Sequence, residues 1–452
     1  MEKFDVIIIG GGPGGYETAL YAKENGLSTL LIEKDKLGGT CLNRGCIPTK
    51  TYNAIAKVIN EMKKVNGTFV NVNYDFDFSK AKEKKDNVVS ELQNGIKFLL
   101  EKNGVGIKNG FGYLVDNNHV KVDDELFEGS NIIIATGSSN LTGIIPGEEY
   151  AIDSTDLLDI DSVPNSLAII GGGVVGVEMA TVFNTFGTKV TIFEGMNSIL
   201  PNIDKEISRR LQSFLTRSGI TVYTNAKVLS INNNGLSFDN KGNTTEAQFD
   251  KVLLSIGRRA NINNIGLENC NIEVSRKGIV TNEYFETNVK GIYAIGDCNG
   301  KVMLAHYASF SGKVVIDHIL GKDINNYLVP SAIFTFPEVA TVGKTEDELK
   351  ESGIEYSVKK VMYRANGKAL AMGEVDGFIK TLVLDDKIVG CHIIGYDAST
   401  LIHEAVLLIN SNTSVNEAKK YIYAHPTLSE LFKDSLELFW PVLYWSFFYK
   451  HF

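Results

Sequence analysis

One device occurs twice in this sequence and limits what the chain can become. Residues 5–33 read DVIIIGGGPGGYETALYAKENGLSTLLIE: an apolar strand from Val6 to Ile9, then Gly10-x-Gly12-x-x-Gly15, a helical stretch, and a second strand ending on Glu33. Residues 166–194, SLAIIGGGVVGVEMATVFNTFGTKVTIFE, repeat the order with Gly171-x-Gly173-x-x-Gly176 and Glu194. The interval from first glycine to acid is 23 residues in both copies. A lone glycine triplet is an ordinary turn signal; one set between strand and helix and closed by an acid on the next strand end is specific, and it stands here twice. The first glycine makes the turn, the second lets backbone approach a pyrophosphate, and the third lets helix lie close to strand. The helix N-terminus offers N–H groups and partial positive charge to phosphates, while Glu33 and Glu194 would accept from ribose hydroxyls. Two dinucleotide sites are expected, with electrons passing between them.

Length and composition agree with such a chain. At roughly 100–200 residues per domain, 452 residues make two to four domains, and 44% hydrophobic content supplies their cores. Forty-three glycines against nine prolines, without a Gly-X-Y period, assign the glycines to turns and close approaches. A net charge of −9 with no basic face excludes nucleic acid and anionic membranes as partners. Five cysteines are too few for a disulfide framework. The apolar run Val6 to Ile9 is too short for a signal-peptide core, and the stretch from Leu438 to Phe448 is interrupted by Pro441, whereas a bilayer span needs about 20 residues. A soluble cytoplasmic protein is expected.

Further along, NIIIATGSS (131–139) and GIYAIGDCNG (291–300) are buried-strand runs ending at Thr136-Gly137 and Gly296-Asp297. The 60–100 stretch reads as helices outside the sheet. From about 326 the texture changes: SAIFTFPEVATVG and FIKTLVLDDKIVGCHIIG alternate as strands with a DDK turn, and helices follow near 399–411 and 427–439. The expected fold is α/β, with two Rossmann-like dinucleotide-binding domains and a C-terminal α+β domain that carries no nucleotide signature.

GGTCLNRGCIPTK places Cys41 and Cys46 four residues apart. Two small core residues, half of a zinc site and a redox disulfide are the alternatives. Zinc lacks a second pair, because Cys270, Cys298 and Cys391 are scattered. On an ideal helix positions i and i+5 lie roughly 8–9 Å apart, beyond the ~7 Å a disulfide spans. Pro48 lacks the N–H that would bond the Arg44 carbonyl and loosens the turn. A distorted, reducible disulfide is the expected product. Lys50 could set a cation beside a thiolate or a flavin. Near the end, Ala424-His425-Pro426-Thr427-Leu428-Ser429-Glu430 puts a histidine and a glutamate five apart across a proline turn, as a base and its orienter would be.

With these pieces in view, GGGPGGYETAL, GGTCLNRGCIPTK, ATGSS, GGGVVGVEMA, AIGDC, MLAHYAS, ANGKALAMGEVDGFIK and AHPTLSE, which run from one end of the chain to the other, the sequence resembles the dihydrolipoyl-oxidising branch of the FAD-dependent pyridine nucleotide-disulfide oxidoreductase family. The resemblance implies a Cys41–Cys46 redox disulfide, with Cys41 the interchange thiol and Cys46 facing the flavin. It implies His425, oriented by Glu430, as the base serving the partner's site in a homodimer, and Lys50 at the flavin beside Glu178. It implies FAD held by Gly10, Gly12, Gly15, Glu33, Lys34, Gly39, Thr40, Lys50, Gly112, Thr136, Gly137, Gly296, Asp297, Met303, Leu304, Ala305 and His306. NAD would be held by Gly171, Gly173, Val174, Val175, Gly176, Glu178, Glu194 and Gly257. No metal is implied. The domains would be 1–145 with 258–325 for FAD, 146–257 for NAD, and 326–452 for dimerisation. The lipoyl group would arrive on an acyltransferase or carrier protein of a 2-oxoacid, acetoin or glycine-cleavage system.

Related enzymes match less well. Mercuric- and thioredoxin-reductase-like chains carry a further cysteine pair in the tail, whereas the last cysteine here is Cys391. Glutathione-reductase-like chains use NADPH and place arginines after the second nucleotide strand, where this chain has Glu194-Gly195-Met196-Asn197. A redox-sensing flavoprotein without turnover is the non-catalytic alternative. The tail LFWPVLYWSFFYKHF departs from the family pattern in its aromatic content, and residues 439–452 are expected to cover part of the dimer interface or to pack on their own domain.

Overall fold

The computed structural model describes residues 2–323 and 327–437; the aromatic segment 439–452, and with it the end of the helix expected near 427–439, lies outside them. No helix among the described residues is long and apolar enough to cross a membrane. The chain divides into two compact units, Met1–Gly195 with Asn225–Asn325, and Met196–Thr224 with Asn326–Phe452.

In the first unit, strands β1 (Glu2–Ile9), β2 (Thr29–Glu33) and β3 (Gly106–Asn109) run parallel with β6 (Glu125–Ile134) and β16 (Ile292–Ala294), in the order β3-β2-β1-β6-β16. The early half of β6, paired with β1 on one edge, also carries on its other edge an antiparallel meander of β5 (His119–Val122) and β4 (Gly112–Leu114). Between the parallel strands lie α1 (Pro13–Glu24), α2 (Gly39–Arg44), α3 (Cys46–Val65) and α4 (Phe78–Lys102). Every residue of β2 is buried, as expected of a parallel strand covered on both faces.

The second copy of the device gives β8 (Ser166–Ile170), α6 (Val174–Thr185) and β9 (Lys189–Phe193), with β14 (Lys251–Leu254) parallel on the other side of β8. A meander unmarked in the sequence, β11 (Lys227–Asn232), β12 (Gly235–Asn240) and β13 (Asn243–Gln248), precedes β14. Its polar third strand hides the alternation that would announce it. The short strands β7 (Ser138–Asn140) and β15 (Arg258–Ala260) pair antiparallel, and α5 (Ser154–Asp159) follows β7 under a capping box from Asp153 to Asp156.

Helix α8 (Ala305–Ile319) crosses α1 at unusually short range. A Cβ on Gly14 would stand 3.2 Å from the Ala308 Cβ, and one on Gly312 would fall 1.6 Å from the Thr18 Oγ1. The crossing therefore depends on hydrogen atoms at two positions.

The second unit holds α7 (Lys205–Arg217) and β10 (Thr221–Tyr223), then an antiparallel sheet of β17 (Ser331–Ile333), β18 (Glu338–Gly343), β19 (Ser357–Met362), β20 (Phe378–Leu384) and β21 (Lys387–Gly395) in the order β17-β18-β21-β20-β19. Around the sheet are α9 (Glu346–Glu351), α10 (Gly367–Met372), α11 (Ala398–Asn410), α12 (Val415–Ala418) and α13 (Glu430–Glu437). Ile379 and Ile393 pack with Leu401, Ile402, Phe432 and Leu436 in one core. The DDK turn is a hairpin with Asp385 at φ 48° and Asp386 at φ 62°, the left-handed pair a two-residue primed turn requires. Lys380, on β20 and fully buried, bonds both oxygens of buried Asp204 (3.2 and 3.0 Å) and the carboxylate of Glu346. That ion cluster ties the N-cap of α7 to the sheet.

Gly312→Ala should destabilise the protein by about 1–3 kcal/mol through overpacking at the crossing, and Thr18→Ala in the same chain should recover part of the loss. Thermal unfolding of the two variants checks this; an unchanged midpoint for Gly312→Ala would mean the helices separate freely.

Candidate active site

The predicted glycines meet at the carboxyl ends of the parallel strands, where open α/β sheets bind ligands. Gly10, with φ +113°, follows β1, and its Cβ would lie 2.2 Å from the Ala135 carbonyl at the end of β6. The place of a Gly15 Cβ is taken by the Gly10 carbonyl at 1.8 Å. Gly171 and Gly176 reproduce this arrangement, with carbonyls of Ser255 and Gly171 at 2.4 and 2.0 Å. At the middle glycines the surroundings open: a Cβ on Gly173 would meet nothing within 4 Å, and one on Gly12 only the Gly39 Cα at 3.9 Å. Gly12 and Gly173 are also the N-caps of α1 and α6, neither of which has a side-chain cap or an acid in its first turn. Both cradles thus fit a pyrophosphate, with close backbone access and an electropositive helix end.

The two acids repeat each other in space. Glu33 Oε2 accepts from the Gly11 N–H at 2.6 Å, and Glu194 Oε2 from the Gly172 N–H at 2.7 Å. Besides any ribose contact, each acid therefore braces its own glycine turn, a role that spacing alone does not reveal. Glu33 Oε1 also accepts from Asp35 N. Lys34 is exposed, its Nζ 5.6 Å from the centre of the Phe111 ring. Val174 and Val175, in the first turn of α6, leave apolar surface exposed beside the second cradle. Gly257, φ +127°, is likewise open around its Cβ direction.

Other predicted positions gather at the first cradle. Gly39, in the left-handed region at φ +56°, brings its Cβ direction to 2.7 Å from the Gly12 Cα and begins the helix that carries Thr40. Gly296 sits against Ala308 of α8, whose first turn holds Ala305 and His306 after Met303 and Leu304. Asp297 Oδ2 accepts from the Ser138 hydroxyl at 2.5 Å, and Thr136 Oγ1 donates to the Asn261 carbonyl at 2.6 Å. Gly112 is different: it lies buried on β4, its Cβ direction 2.9 Å from Ile9 Cγ2 and 3.3 Å from Ile32 Cγ2, where it lets the meander close on the ends of β1 and β2.

Cys41 lies in α2, and Cys46 opens α3. The helix breaks at Gly45 (φ −142°, ψ −107°), not at Pro48, which instead occupies the first turn of α3. A side chain on Gly45 would stand 2.9 Å from the Thr40 carbonyl, so the break needs glycine. Both cysteines are free thiols here, hydrogen-bonded to each other. The bond from Cys41 holds Cys46 down to about 7, burial opposes it, and the Lys50 charge adds to it; Cys41 is pushed up by the same bond. Cys46 ionises first. Lys50, one turn along α3, donates to both oxygens of Glu178 on α6 at 2.9 and 2.8 Å, linking the thiol helix to the second nucleotide helix.

His425 and Glu430 belong to the second unit. His425 Nδ1 lies 3.0 Å from Glu430 Oε1, and Glu430 Oε2 accepts from the Thr427 N–H at 2.9 Å. That N–H and the histidine hold the Glu430 carboxyl below its ordinary value. Residues 425–429 consequently stay a loop, and α13 starts at Glu430 rather than near 427. The imidazole is 78% exposed, so its other nitrogen faces outward. No group of His, Cys, Asp or Glu side chains that could hold a metal ion occurs among the described residues.

Sequence reasoning missed Arg258. Its guanidinium, half-buried at the start of β15, donates to Ser138 and Asn140 on β7. The residue follows the second glycine module in the chain, and only the β7–β15 pairing brings it to Ser138 and Asn140.

Comparison with known proteins gives a consistent answer. Residues 4–312 match the family described as "Pyridine nucleotide-disulphide oxidoreductase", and residues 329–436 match its dimerisation domain. A dihydrolipoyl dehydrogenase of Chlamydia muridarum is 39% identical over 449 residues, covering 96% of each chain. One from Acholeplasma laidlawii is 46% identical over 327 residues, 71% of this chain and 97% of that one. Among solved structures, the HOCl-induced flavoprotein disulfide reductase RclA of Escherichia coli superposes with a TM-score of 0.86 at 28% identity, covering 96% of this chain and all of the other.

In the reduced protein, the first thiol of the pair should ionise at a pH of about 7, seen as thiolate ultraviolet absorbance. Lys50→Met should move that midpoint upward, because a lost neighbouring cation disfavours the thiolate. A midpoint indifferent to the substitution would rule out the lysine charge as a cause.

Proposed function

The chain belongs to the pyridine nucleotide-disulphide oxidoreductases, and on that premise we propose that it oxidises protein-bound dihydrolipoyl groups to lipoyl groups with NAD+ through a Cys41–Cys46 redox disulfide and FAD. The observation that carries this reading is the thiol pair at the broken helix, joined through Lys50 and Glu178 to the second nucleotide helix. Curated relatives of the same activity match nearly the whole chain.

In this reading residues 1–145 and 258–325 hold FAD, 146–257 hold NAD, and 326–452 form the dimer interface of a cytoplasmic homodimer. Gly10, Gly12, Gly15, Glu33, Gly39 and Asp297 hold the flavin nucleotide; Gly173, Val174, Val175 and Glu194 hold NAD. One substrate thiolate attacks Cys41 Sγ, the Cys41–Cys46 bond breaks, and the electron pair of that bond stays on Cys46. His425 Nε2 takes the substrate proton, and Glu430 on Nδ1 steadies the imidazolium. The second substrate thiol then attacks the first sulfur; its proton passes, by way of His425, to the departing Cys41 Sγ, so the lipoyl ring closes and Cys41 leaves as a thiol. Bound FAD supplies two-electron transfer from a thiolate to nicotinamide, chemistry that no side chain offers. Lys50 favours the thiolate form of Cys46 while that charge is present. The lipoyl group is carried by an acyltransferase or carrier protein of a 2-oxoacid, acetoin or glycine-cleavage system.

Glu194 is buried at the end of β9, and its charge would repel a 2′-phosphate. kcat/KM should favour NAD+ over NADP+ by at least about tenfold, a difference of ~1.4 kcal/mol. Equal values from steady-state assays would refute the coenzyme assignment.

The shared-site feature has its own test. Homodimers of Cys41→Ser and of His425→Gln should both be inactive toward dihydrolipoamide. If each histidine serves the partner's thiols, heterodimers formed from the two should regain one competent site in two, since one interface unites an intact pair with an intact histidine. Inactive heterodimers would mean that His425 serves its own subunit.

A further inference from the structure

Arg258 has three well-formed donor contacts. Its Nε reaches the Ser138 hydroxyl at 2.7 Å, one terminal nitrogen the Ser138 carbonyl at 2.6 Å, and the other the Asn140 Oδ1 at 2.8 Å. Guanidinium can only donate, so the Ser138 oxygen must accept from it, and the single hydroxyl proton is left to point elsewhere. It points at Asp297, whose Oδ2 stands 2.5 Å from that oxygen. Asn140 continues the chain on the other side, donating to Asp153 Oδ2 at 2.7 Å, and Asp153 caps α5. The cation thus lies within the fields of Asp297 and Asp153, and burial alone pulls its pKa down. Its position depends on the β7–β15 pairing, which sets Arg258 opposite Asn140 and Ala260 opposite Ser138.

We propose that Arg258 is a positioning residue for the flavin: acting through the Ser138 hydroxyl, it fixes the orientation in which the Asp297 carboxylate meets the cofactor. The proposal rests on the reading of Asp297 as a flavin contact and extends it to a residue that does not touch the flavin. Lysine cannot replace the arginine here. An ammonium is a point charge without the planar fork that satisfies two oxygens of Ser138 and one of Asn140 together.

The test is the rate of FAD release from the holoenzyme, followed by the rise of free-flavin fluorescence on dilution. Asp297→Asn, Ser138→Ala and Arg258→Gln should each speed release by about 10- to 100-fold, the worth of one charge-assisted hydrogen bond. Arg258→Lys should fail to restore the slow rate. The double variant Arg258→Gln/Asp297→Asn should release FAD no faster than the worse single one, because both substitutions break the same chain of bonds. Multiplying effects would overturn the proposal, since Arg258 would then act independently of Asp297; wild-type release from Arg258→Gln would overturn it as well. Normal release from Asp297→Asn would instead overturn the underlying reading of Asp297, and the proposal with it. Should Arg258→Gln not fold, Ser138→Ala and Ser138→Ala/Asp297→Asn pose the same question with the arginine intact.

Discussion

The structure depends on a steric coincidence made twice: a carbonyl oxygen occupies the place where the third glycine of each turn would carry a side chain. Gly10 and Gly15 interlock in this way, and so do Gly171 and Gly176. The interlock leaves each helix little choice of direction, so its N-terminus is held over the strand ends. Glu33 and Glu194 then lock the turns from beneath by accepting from the glycine in between. The cysteine segment is hung from the same loop: the Gly38 N–H donates to the Gly11 carbonyl at 2.8 Å, and Gly39 lies against Gly12. The thiols are therefore placed by the first glycine turn, whose open middle fits a pyrophosphate.

The electrostatics of the thiol pair follow from the same placement. A helix that restarts at Cys46 gives the thiol a first-turn position, and Lys50 lies one turn further on. Glu178 approaches from another helix and meets the lysine with both oxygens. The lysine is thus held by a carboxylate while it still acts on the thiol, and the acidity of Cys46 is a balance between the hydrogen bond from Cys41, burial and these charges.

What was legible in the sequence was whatever local physics repeats at fixed spacing. The glycine turns, their acids, the alternating strands after 330 and the His425–Glu430 pair all belong to segments whose residues are near one another in the chain. The break between the cysteines was anticipated, but at Pro48; a proline in the first turn of a helix loses nothing, because its N–H would have no partner there, and Gly45 carries the bend. The β11–β13 meander and β19 were not anticipated, since polar and lysine-rich strands blur the period of two. Arg258, Asn261 and the buried Lys380 cluster could not be read at all. Each acquires its meaning from a partner more than a hundred residues away.

The Lys380–Asp204 bond has a consequence for the chain as a molecule with a history. Residues 196–224 leave the first unit, contribute a helix and a buried carboxylate to the second, and return, so the path passes from one body to the other three times before it ends. No single cut yields either unit whole: severing the chain near 325 would strip Lys380 of its Asp204 counter-charge and leave α7 without its sheet. The last part of the chain is thus completed by a segment that precedes it by more than a hundred residues. A fragment that begins near 326 would keep only Glu346 beside the buried Lys380, because Asp204 and Glu206 both lie in the segment left behind.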